Sequence, residues 1–324
     1  MTAMLEVNNL QVSFPSKDKT ASKVKALHGV TLSINKGEVV SLVGESGCGK
    51  SMTGLALLDL VSPPGHIHSG SIKFEGKDIL SFSDDELQKY RGAQVAMIFQ
   101  EPMTALNPVF TVGQQIDEVI VTHLKVSKAI ARKKTVEYLR RVGIPDPETR
   151  ANSYPYELSG GMRQRAMIAM ALSGQPKLLI ADEPTTALDV TIQAQILHLL
   201  KEICEKEQMA MLFISHDLAV VSNVSDRVCV MYAGKIIEEI NAKKILQAKH
   251  PYTKGLLASR PHENKGIRLK PVPGQVPELV EVFDGCAFKE RCSVVLNSCA
   301  KDIKQQKVAN DHQFLCNYIE DVSD

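Results

Sequence analysis

A run of eight residues near the amino terminus has the pattern of a phosphate-binding loop. It fits G-x-x-x-x-G-K-[ST] and reads Gly44-Glu45-Ser46-Gly47-Cys48-Gly49-Lys50-Ser51. Glycines allow backbone N–H groups to curl around phosphates, and a helix that begins there adds the positive end of its dipole. Lys50 would reach the β- and γ-phosphates, and the Ser51 hydroxyl would bind Mg²⁺. We predict that this run, with Met52, binds a nucleoside triphosphate. A glycine-rich structural turn is the alternative. Within the loop, we expect Cys48 to be a small residue that contributes its backbone rather than a redox group.

Two carboxylates follow an apolar run in the second half of the chain. Residues 178–181 read Leu-Leu-Ile-Ala, and Asp182 and Glu183 come directly after them. Phosphoryl transfer to water needs a metal ion on the β- and γ-phosphate oxygens and a group that positions the attacking water. We predict that Asp182 completes the coordination of the metal and that Glu183 is the general base. A solvated strand end is the alternative, and the phosphate loop upstream argues against it.

A second candidate anion site lies at the start of a predicted helix. Ser159-Gly160-Gly161 precedes Met162 and Gln164, and small residues at a helix start leave its N–H groups open to an anion. One bound nucleotide does not need two such helix starts from the same chain. The motif therefore predicts contact with a nucleotide that a second subunit holds.

These motifs together resemble the ATP-binding subunits of ATP-binding cassette (ABC) transporters. The segment Leu158-Ser159-Gly160-Gly161-Met162 is similar to the signature sequence of that superfamily, and the resemblance covers about residues 4–255. It implies further roles in chain order: Phe14 stacks on adenine, Gln100 contacts metal and water, Ala187-Leu188-Asp189 lies at a dimer interface, and His216 holds the γ-phosphate and the base in register. It also implies Mg²⁺ ligation by Ser51, Gln100 and Asp182, and catalysis by Glu183 with His216.

The resemblance implies a mechanism that needs two subunits. Two nucleotide-binding domains would form a head-to-tail sandwich with two ATP molecules at the seam. Each ATP would contact the phosphate loop of one subunit and the equivalents of Ser159, Gly160, Gly161 and Gln164 in the other. Closure on ATP and reopening after hydrolysis would then drive a membrane partner between two states.

Four further segments resemble the oligopeptide and dipeptide branch of the superfamily. They are residues 99–108, 183–191, 250–257 and the proline-rich stretch 271–277. The resemblance implies uptake of peptides with a related or identical second ATPase, two membrane permease subunits and an extracytoplasmic peptide-binding protein. Residues 100–115 would meet the membrane subunits. Importers of nickel, glutathione and some sugars share this ATPase type, so the substrate stays open.

Apolar periodicity predicts an α/β fold. Alternation marks strands at residues 4–7, 10–14 and 30–34, helical spacing extends from about 113 to 175, and buried strands are predicted at 177–181 and 210–214. The resemblance implies an ABC-type P-loop ATPase, which is a RecA-like core with an antiparallel β subdomain and a helical subdomain. We predict a nucleotide-binding domain over residues 1–255, with its helical subdomain at about 101–175, and a small cysteine-rich extension over residues 256–324.

Four of the seven cysteines crowd near the end of the chain. They are Cys286, Cys292, Cys299 and Cys316. A structural zinc site usually includes a short C-x2–4-C hairpin, which is missing here, whereas wide spacings suit a [4Fe–4S] cluster. The resemblance implies such a cluster, and zinc or free thiols are the alternatives. A structural staple for the short extension is the simpler role, and redox sensing is the other.

Composition limits the classes of function. The 324 residues carry 38 Lys and Arg against 37 Asp and Glu, so a formal net charge of +1 gives no support to a nucleic-acid-binding surface. The sequence has no apolar run of membrane-spanning length and no signal-peptide pattern at its start. We expect a soluble chain that docks as a peripheral subunit on the cytoplasmic face of a membrane. A cassette ATPase without membrane partners is the rival, and the peptide-type tail argues against it.

Overall fold

Strands and helices follow one another in the order that the apolar pattern predicts. The computed structural model describes residues 3–15, 24–186, 188–259, 272–277, 284–309 and 311–318. The strands are β1 (Leu5–Phe14), β2 (Val24–Ile34), β3 (Val39–Val43), β4 (His66–Phe74), β5 (Lys77–Asp78), β6 (Val95–Ile98), β7 (Leu178–Asp182), β8 (Ala210–Ser215), β9 (Arg227–Tyr232), β10 (Lys235–Asn241), β11 (Gln305–Ala309) and β12 (His312–Leu315). The α-helices are α1 (Lys50–Leu57), α2 (Asp84–Tyr90), α3 (Pro102–Ala105), α4 (Val112–Leu124), α5 (Lys128–Arg141), α6 (Pro147–Arg150), α7 (Gly160–Ser173), α8 (Val190–Glu207), α9 (Leu218–Val224) and α10 (Pro251–Ala258). Short 3₁₀ helices span Ile79–Ser81, Pro155–Glu157, Ala242–Gln247, Lys289–Arg291 and Asn297–Ala300.

The chain divides into two compact units. The first unit comprises Met1–Ile34, Val39–Leu80 and Ile214–Asp324, and the second comprises Asn35–Glu38 and Ser81–Phe213. The predicted division at residue 255 rests on a different criterion, the extent of the family resemblance, and it stays a prediction.

An antiparallel sheet in the first unit has the strand order β2-β1-β4-β5. Alternate residues of β1, among them Leu5 and Val7, are fully buried, as the period of two predicts. The two predicted runs at 4–7 and 10–14 form one strand, because the irregular pairing between Val7 and Leu10 at Asn9 (φ 47°) lets the strand continue past the break in alternation. The alternation pattern therefore located this strand correctly but predicted it as two strands, separated at the bulge.

A second group of strands in the first unit has the order β11-β12-β10-β9-β3. All five residues of β3 are buried, and β3 pairs in parallel with β9. A continuous apolar run is typical of a parallel strand that is covered on both faces. This strand ends directly at the predicted phosphate loop, which fixes the position of that loop.

The cysteine-rich extension over residues 256–324, called the cysteine-rich tail from here on, contributes two strands that the sequence did not predict. Strand β12 pairs antiparallel with β10, and β11 pairs with β12. Glu238, buried in β10, accepts hydrogen bonds from the backbone N–H groups of Lys249 (2.6 Å) and His250 (3.2 Å) and lies 2.8 Å from Nε2 of His312. At five and four residues, β11 and β12 are too short to show a clear alternation in the sequence.

The second unit combines strands in the order β8-β7-β6 with a set of packed helices. Strands β6 and β7 pair in parallel. Helices α4, α5 and α7 pack on one another, and α7 buries Ala166, Met167, Ile168 and Ala169. The helical spacing predicted from about residue 113 to 175 is confirmed by α4 to α7, and the predicted strands at 177–181 and 210–214 are β7 and β8.

No helix within the described part of the chain combines the length and the apolar character that a membrane crossing requires.

Candidate functional site

The predicted phosphate loop lies in the first unit between β3 and α1. A Cβ atom on Gly44 would lie 2.2 Å from the carbonyl oxygen of Met231, so the residue has to be glycine. Gly49 has φ 106° at the cap of α1, a conformation that favours glycine. The ammonium group of Lys50 is buried and donates to the carbonyl oxygens of Gly44 (2.9 Å) and Glu45 (3.0 Å). The loop therefore has the compact backbone that phosphate binding needs.

The remaining residues of the loop divide into an exposed tip and a buried base. Ser46 and Gly47 are exposed, whereas Ser51 and Met52 are half-buried in the first turn of α1. Cys48 is fully buried, and burial raises the pKa of its thiol while the nearby Lys50 lowers it. A protonated, enclosed thiol is a poor nucleophile. Cys48 is thus a small packing residue in this structure, as the sequence indicated.

Two loop glycines provide a matched pair of substitutions. We expect Gly44→Ala to cost about 3 kcal/mol or more and to abolish ATP binding, because its new methyl group meets the backbone at Met231. We expect Gly47→Ala to cost about 1–2 kcal/mol, because Gly47 has φ 80° but open space around it. Thermal unfolding of both nucleotide-free variants measures the difference. Equal losses of stability would contradict the close approach at Gly44.

Phe14, the predicted adenine contact, ends β1 and is half-buried. Its ring packs on the backbone of Gly65, where a Cβ atom would lie 2.4 Å from the ring. Residues 16–23, which follow it, lie outside the described residues. Stacking of Phe14 on adenine stays a prediction.

The predicted general base lies in the second unit, immediately after β7. Asp182 is the last residue of β7 and is buried. The carboxylate of Glu183 accepts hydrogen bonds from Nε2 of Gln100 (3.1 Å) and from the hydroxyl of Thr186 (3.0 Å). Glu183 also has φ 45°, a conformation that non-glycine residues seldom adopt and that concentrates at functional sites. The structure therefore brings two predicted site residues, Gln100 and Glu183, into direct contact.

The Ser159 motif opens α7, as predicted. The Ser159 hydroxyl caps the helix by accepting from the N–H group of Met162 (3.3 Å), and both Ser159 and Gly160 are exposed. Gly161 is half-buried, and Gln164 is only 2% exposed. The structure thus corrects one expectation. Gln164 lies on the buried face of α7 and does not share the exposed surface of Ser159 and Gly160.

Two smaller motifs lie at helix starts. Asp189 caps α8 by accepting from the N–H group of Ile192 (2.9 Å), while its neighbour Ala187 falls outside the described residues. His216 follows β8 in the first unit and is exposed. The phosphate loop and His216 belong to the first unit, and Gln100, Asp182, Glu183 and Ser159 belong to the second.

The four tail cysteines line one narrow cavity. Cys299 and Cys316 are buried, Cys286 and Cys292 are half-buried, and the N–H group of Cys286 donates to the carbonyl oxygen of Cys299 (2.9 Å). Burial, together with the charge repulsion of the other three cysteines, raises the pKa of the Cys316 thiol to about 11. None of the seven cysteines, each within the described residues, forms a disulfide bond. Within those residues, no three His, Cys, Asp or Glu side chains converge closely enough to hold a single metal ion.

Sequence reasoning missed three residues that contact the site. Thr186 bonds to Glu183, as described above, and Tyr252 and Arg291 both contact Glu45 of the phosphate loop. Thr186 lies close in sequence to Glu183, within the segment 183–191 that resembles the peptide branch of the superfamily. No local pattern connects Arg291 with Glu45, since 246 positions separate them.

Comparison with known proteins extends over nearly the whole chain. Residues 27–186 match the family model described as "ABC transporter", and residues 237–299 match "Oligopeptide/dipeptide transporter, C-terminal region". Among solved structures, the dimeric post-hydrolysis state of the ATP-binding cassette MJ0796 bound to ADP and Pi is similar, with a TM-score of 0.66 and 28% identity over 74% of this chain and 99% of that one.

The fold and the site together define an ABC-type ATP-binding cassette, a class of ATP-hydrolysing proteins. The chain is 50% identical to the oligopeptide transport ATP-binding protein OppD of Bacillus subtilis, over 96% of this chain and 88% of that protein. It is 48% identical to the dipeptide transport ATP-binding protein DppD of the same organism, over 99% of this chain and 96% of that protein. The chain belongs to the oligopeptide and dipeptide transporter family of ABC ATP-binding subunits.

Proposed function

We propose that this chain is the ATP-hydrolysing subunit of an importer that takes up dipeptides and oligopeptides. The observation that carries the proposal is its near-full-length similarity to OppD and DppD of Bacillus subtilis, at 50% and 48% identity. The match of residues 237–299 to the C-terminal region of oligopeptide and dipeptide transporters supports the same substrate class. We place the boundary between the nucleotide-binding domain and this extension at residue 255, with the helical subdomain at about 101–175.

In the proposed mechanism, this cassette and a related or identical second one hold ATP between them. The exposed start of α7 supports this arrangement, because its N–H groups and the Ser159 hydroxyl can meet a phosphate from outside the chain. Each γ-phosphate would lie between Lys50 of one subunit and Ser159, Gly160 and Gly161 of the other. Gln164 would support this surface from inside the helix rather than contact the nucleotide.

Hydrolysis would use Lys50, Glu183 and His216. Lys50 would neutralise developing charge on the phosphates, Glu183 would accept a proton from the attacking water, and His216 would hold the γ-phosphate. Gln100 and Thr186 donate to the carboxylate of Glu183 and thereby hold it in one orientation. A general base that is fixed in advance does not need to be reoriented during the reaction.

The proposed Mg²⁺ ligands suit a hard cation. Ser51, Gln100 and Asp182 offer a hydroxyl, an amide oxygen and a carboxylate, which are the oxygen donors that Mg²⁺ prefers. When bound, the ion would neutralise charge on the β- and γ-phosphate oxygens.

An ordered apolar loop supports contact with membrane subunits. Met103, Val109 and Phe110 expose large apolar side chains. Gln115 holds this loop in place, since its side chain accepts from the N–H group of Asn107 (2.9 Å) and donates to the carbonyl oxygens of Asn107 (3.0 Å) and Phe110 (3.1 Å). Exposed apolar groups on a fixed loop are typical of docking surfaces. We propose that residues 100–115 meet the membrane permease subunits, of which the complex would have two. This contact would place the chain on the cytoplasmic face of the membrane.

We also propose that Cys286, Cys292, Cys299 and Cys316 hold a [4Fe–4S] cluster. All four thiols line one cavity, and a cluster takes its ligands at separate corners, so they need not converge as they do on a single ion. When bound, the cluster would cross-link the segments of a tail that has little core of its own.

The cluster proposal predicts iron and a visible absorbance band. We expect about four irons per chain in protein purified without oxygen. Cys292→Ala should lose most of this iron and the band, whereas Cys204→Ala should keep both because Cys204 is buried in α8. Metal analysis and absorbance spectroscopy measure the result. Zinc without iron, or a colourless protein free of metal, would contradict the cluster.

Affinity purification of the chain from detergent-solubilised membranes tests the proposed function. We expect two permeases and a second cassette ATPase to copurify, and mass spectrometry of the partner binding protein to detect peptides. A ligand such as nickel, glutathione or a sugar would overturn the peptide assignment. Recovery of the chain without any membrane protein would overturn the importer itself.

A further inference from the structure

A buried arginine of the cysteine-rich tail contacts the phosphate loop directly. Arg291 lies between two of the tail cysteines in sequence and is buried. Its guanidinium group donates to both carboxylate oxygens of Glu45, with NH1 at 2.7 Å from Oε2 and NH2 at 2.9 Å from Oε1. Paired, charge-assisted hydrogen bonds of this kind are strong and fix orientation as well as distance.

The surroundings of Arg291 hold the guanidinium in one place. Its Nε donates to the carbonyl oxygen of Pro273 (2.7 Å), and its Cζ lies 5.7 Å from the ring centre of Tyr232 and 5.8 Å from that of Phe288. Arginine over an aromatic face is a favourable arrangement. The position of Arg291 therefore depends on the fold of the tail, to which Pro273 and Phe288 belong.

Glu45 is held at three points, one of which reaches the phosphate-binding lysine. Its carboxylate binds Arg291, its N–H group donates to the hydroxyl of Tyr252 (2.9 Å), and its carbonyl oxygen accepts from Nζ of Lys50 (3.0 Å). Only the carbonyl oxygens of Gly44 and Glu45 accept from Lys50 at 3.0 Å or less among the described residues. A shift of the Glu45 backbone would therefore move one of the two carbonyl oxygens that orient the ammonium group of Lys50.

We propose that Arg291 is a positioning residue for ATP binding, through which the cysteine-rich tail holds Glu45 and Lys50 of the phosphate loop in their binding geometry. The inference rests on the proposed function, since it takes this loop as the ATP site. It makes the tail a determinant of nucleotide affinity. Loosening of the tail would weaken ATP binding without any change in the loop sequence.

Equilibrium binding of a fluorescent ATP analogue to the full chain tests the proposal. We expect Arg291→Met to raise the Kd about tenfold, as loss of a paired, charge-assisted contact predicts. Arg291→Lys should give a smaller rise, because lysine keeps the charge but cannot form the paired contact. Glu45→Gln should raise the Kd as well, and the double variant Glu45→Gln/Arg291→Met should be no worse than the weaker-binding single variant.

Arg227 provides the matched control for a structural effect. It also pairs with a glutamate, 2.8 Å from Glu239, and the pair is partly buried in β9 and β10. We expect Arg227→Met to lower the melting temperature and to leave the Kd unchanged. If Arg291→Met does not fold, the Kd values of Arg291→Lys and Glu45→Gln test the proposal instead.

Three results would overturn the inference. They are an unchanged Kd in folded Arg291 and Glu45 variants, additive effects in the double variant, and an equal rise in Kd for Arg227→Met. A wild-type chain that does not bind the analogue would instead contradict the proposed function, so the two failures are distinguishable.

Discussion

Replacement of Glu183 by glutamine is expected to lower the rate of ATP hydrolysis by about 10²- to 10⁴-fold and to leave ATP binding intact. Glutamine has nearly the same shape, and its carbonyl oxygen can still accept from Gln100 and Thr186, which now contact the carboxylate at 3.1 and 3.0 Å. An amide cannot take a proton from the attacking water. The variant should therefore bind ATP, close with a second cassette and stay closed.

Phosphate release measures the rate of hydrolysis, and size-exclusion chromatography with ATP detects the closed dimer. Glu205→Gln is the matched control, because Glu205 is an exposed glutamate on α8. We expect the control to hydrolyse ATP at the wild-type rate and the Glu183 variant to accumulate as an ATP-bound dimer. Near-normal turnover by Glu183→Gln would refute its assignment as the general base.

Replacement of Lys50 by methionine has the second large effect. Lys50 would place its positive charge against the β- and γ-phosphates, and methionine keeps the length of the side chain while it removes the charge. Loss of one such preorganised donor costs about 10²- to 10³-fold in turnover, and we expect ATP affinity to fall as well. The carbonyl oxygens of Gly44 and Glu45 also lose their donor, so the loop becomes less ordered.

Nucleotide-binding measurements report the loss of ATP affinity, and phosphate release under saturating MgATP reports the loss of turnover. Lys206→Met is the control, since Lys206 is exposed on α8. We expect this variant to match the wild type in both measurements. If Lys50→Met bound and hydrolysed ATP normally, the loop between β3 and α1 would not be the nucleotide site.

The parts of the fold and site that depend on local sequence could be predicted. The phosphate loop, the apolar run before Asp182 and the Ser159 helix start are each contained in fewer than ten residues. Their chemistry follows from residue type and from the strand or helix beside them. The structure places each of these segments at the strand end or helix start that the sequence indicated.

Features that depend on contacts between distant segments could not be predicted. Strand β12 pairs with β10 across more than seventy positions, and Glu45 meets Arg291 across 246 positions. No periodicity connects such segments. The burial of Gln164 is different, because Met167 and Ile168 follow it at helical spacing and are also buried. The helical period alone could have assigned Gln164 to the inner face of α7.

Uptake of a radiolabelled dipeptide into vesicles most directly tests the central claim that this chain powers peptide import. The complete complex, with its permeases and second ATPase, would be reconstituted so that the ATPase subunits face ATP trapped inside the vesicles and the loaded binding protein is outside. We predict peptide accumulation that needs hydrolysable ATP and that Glu183→Gln abolishes. Accumulation without ATP, or ATP hydrolysis that loaded binding protein does not stimulate and that moves no peptide, would contradict the account.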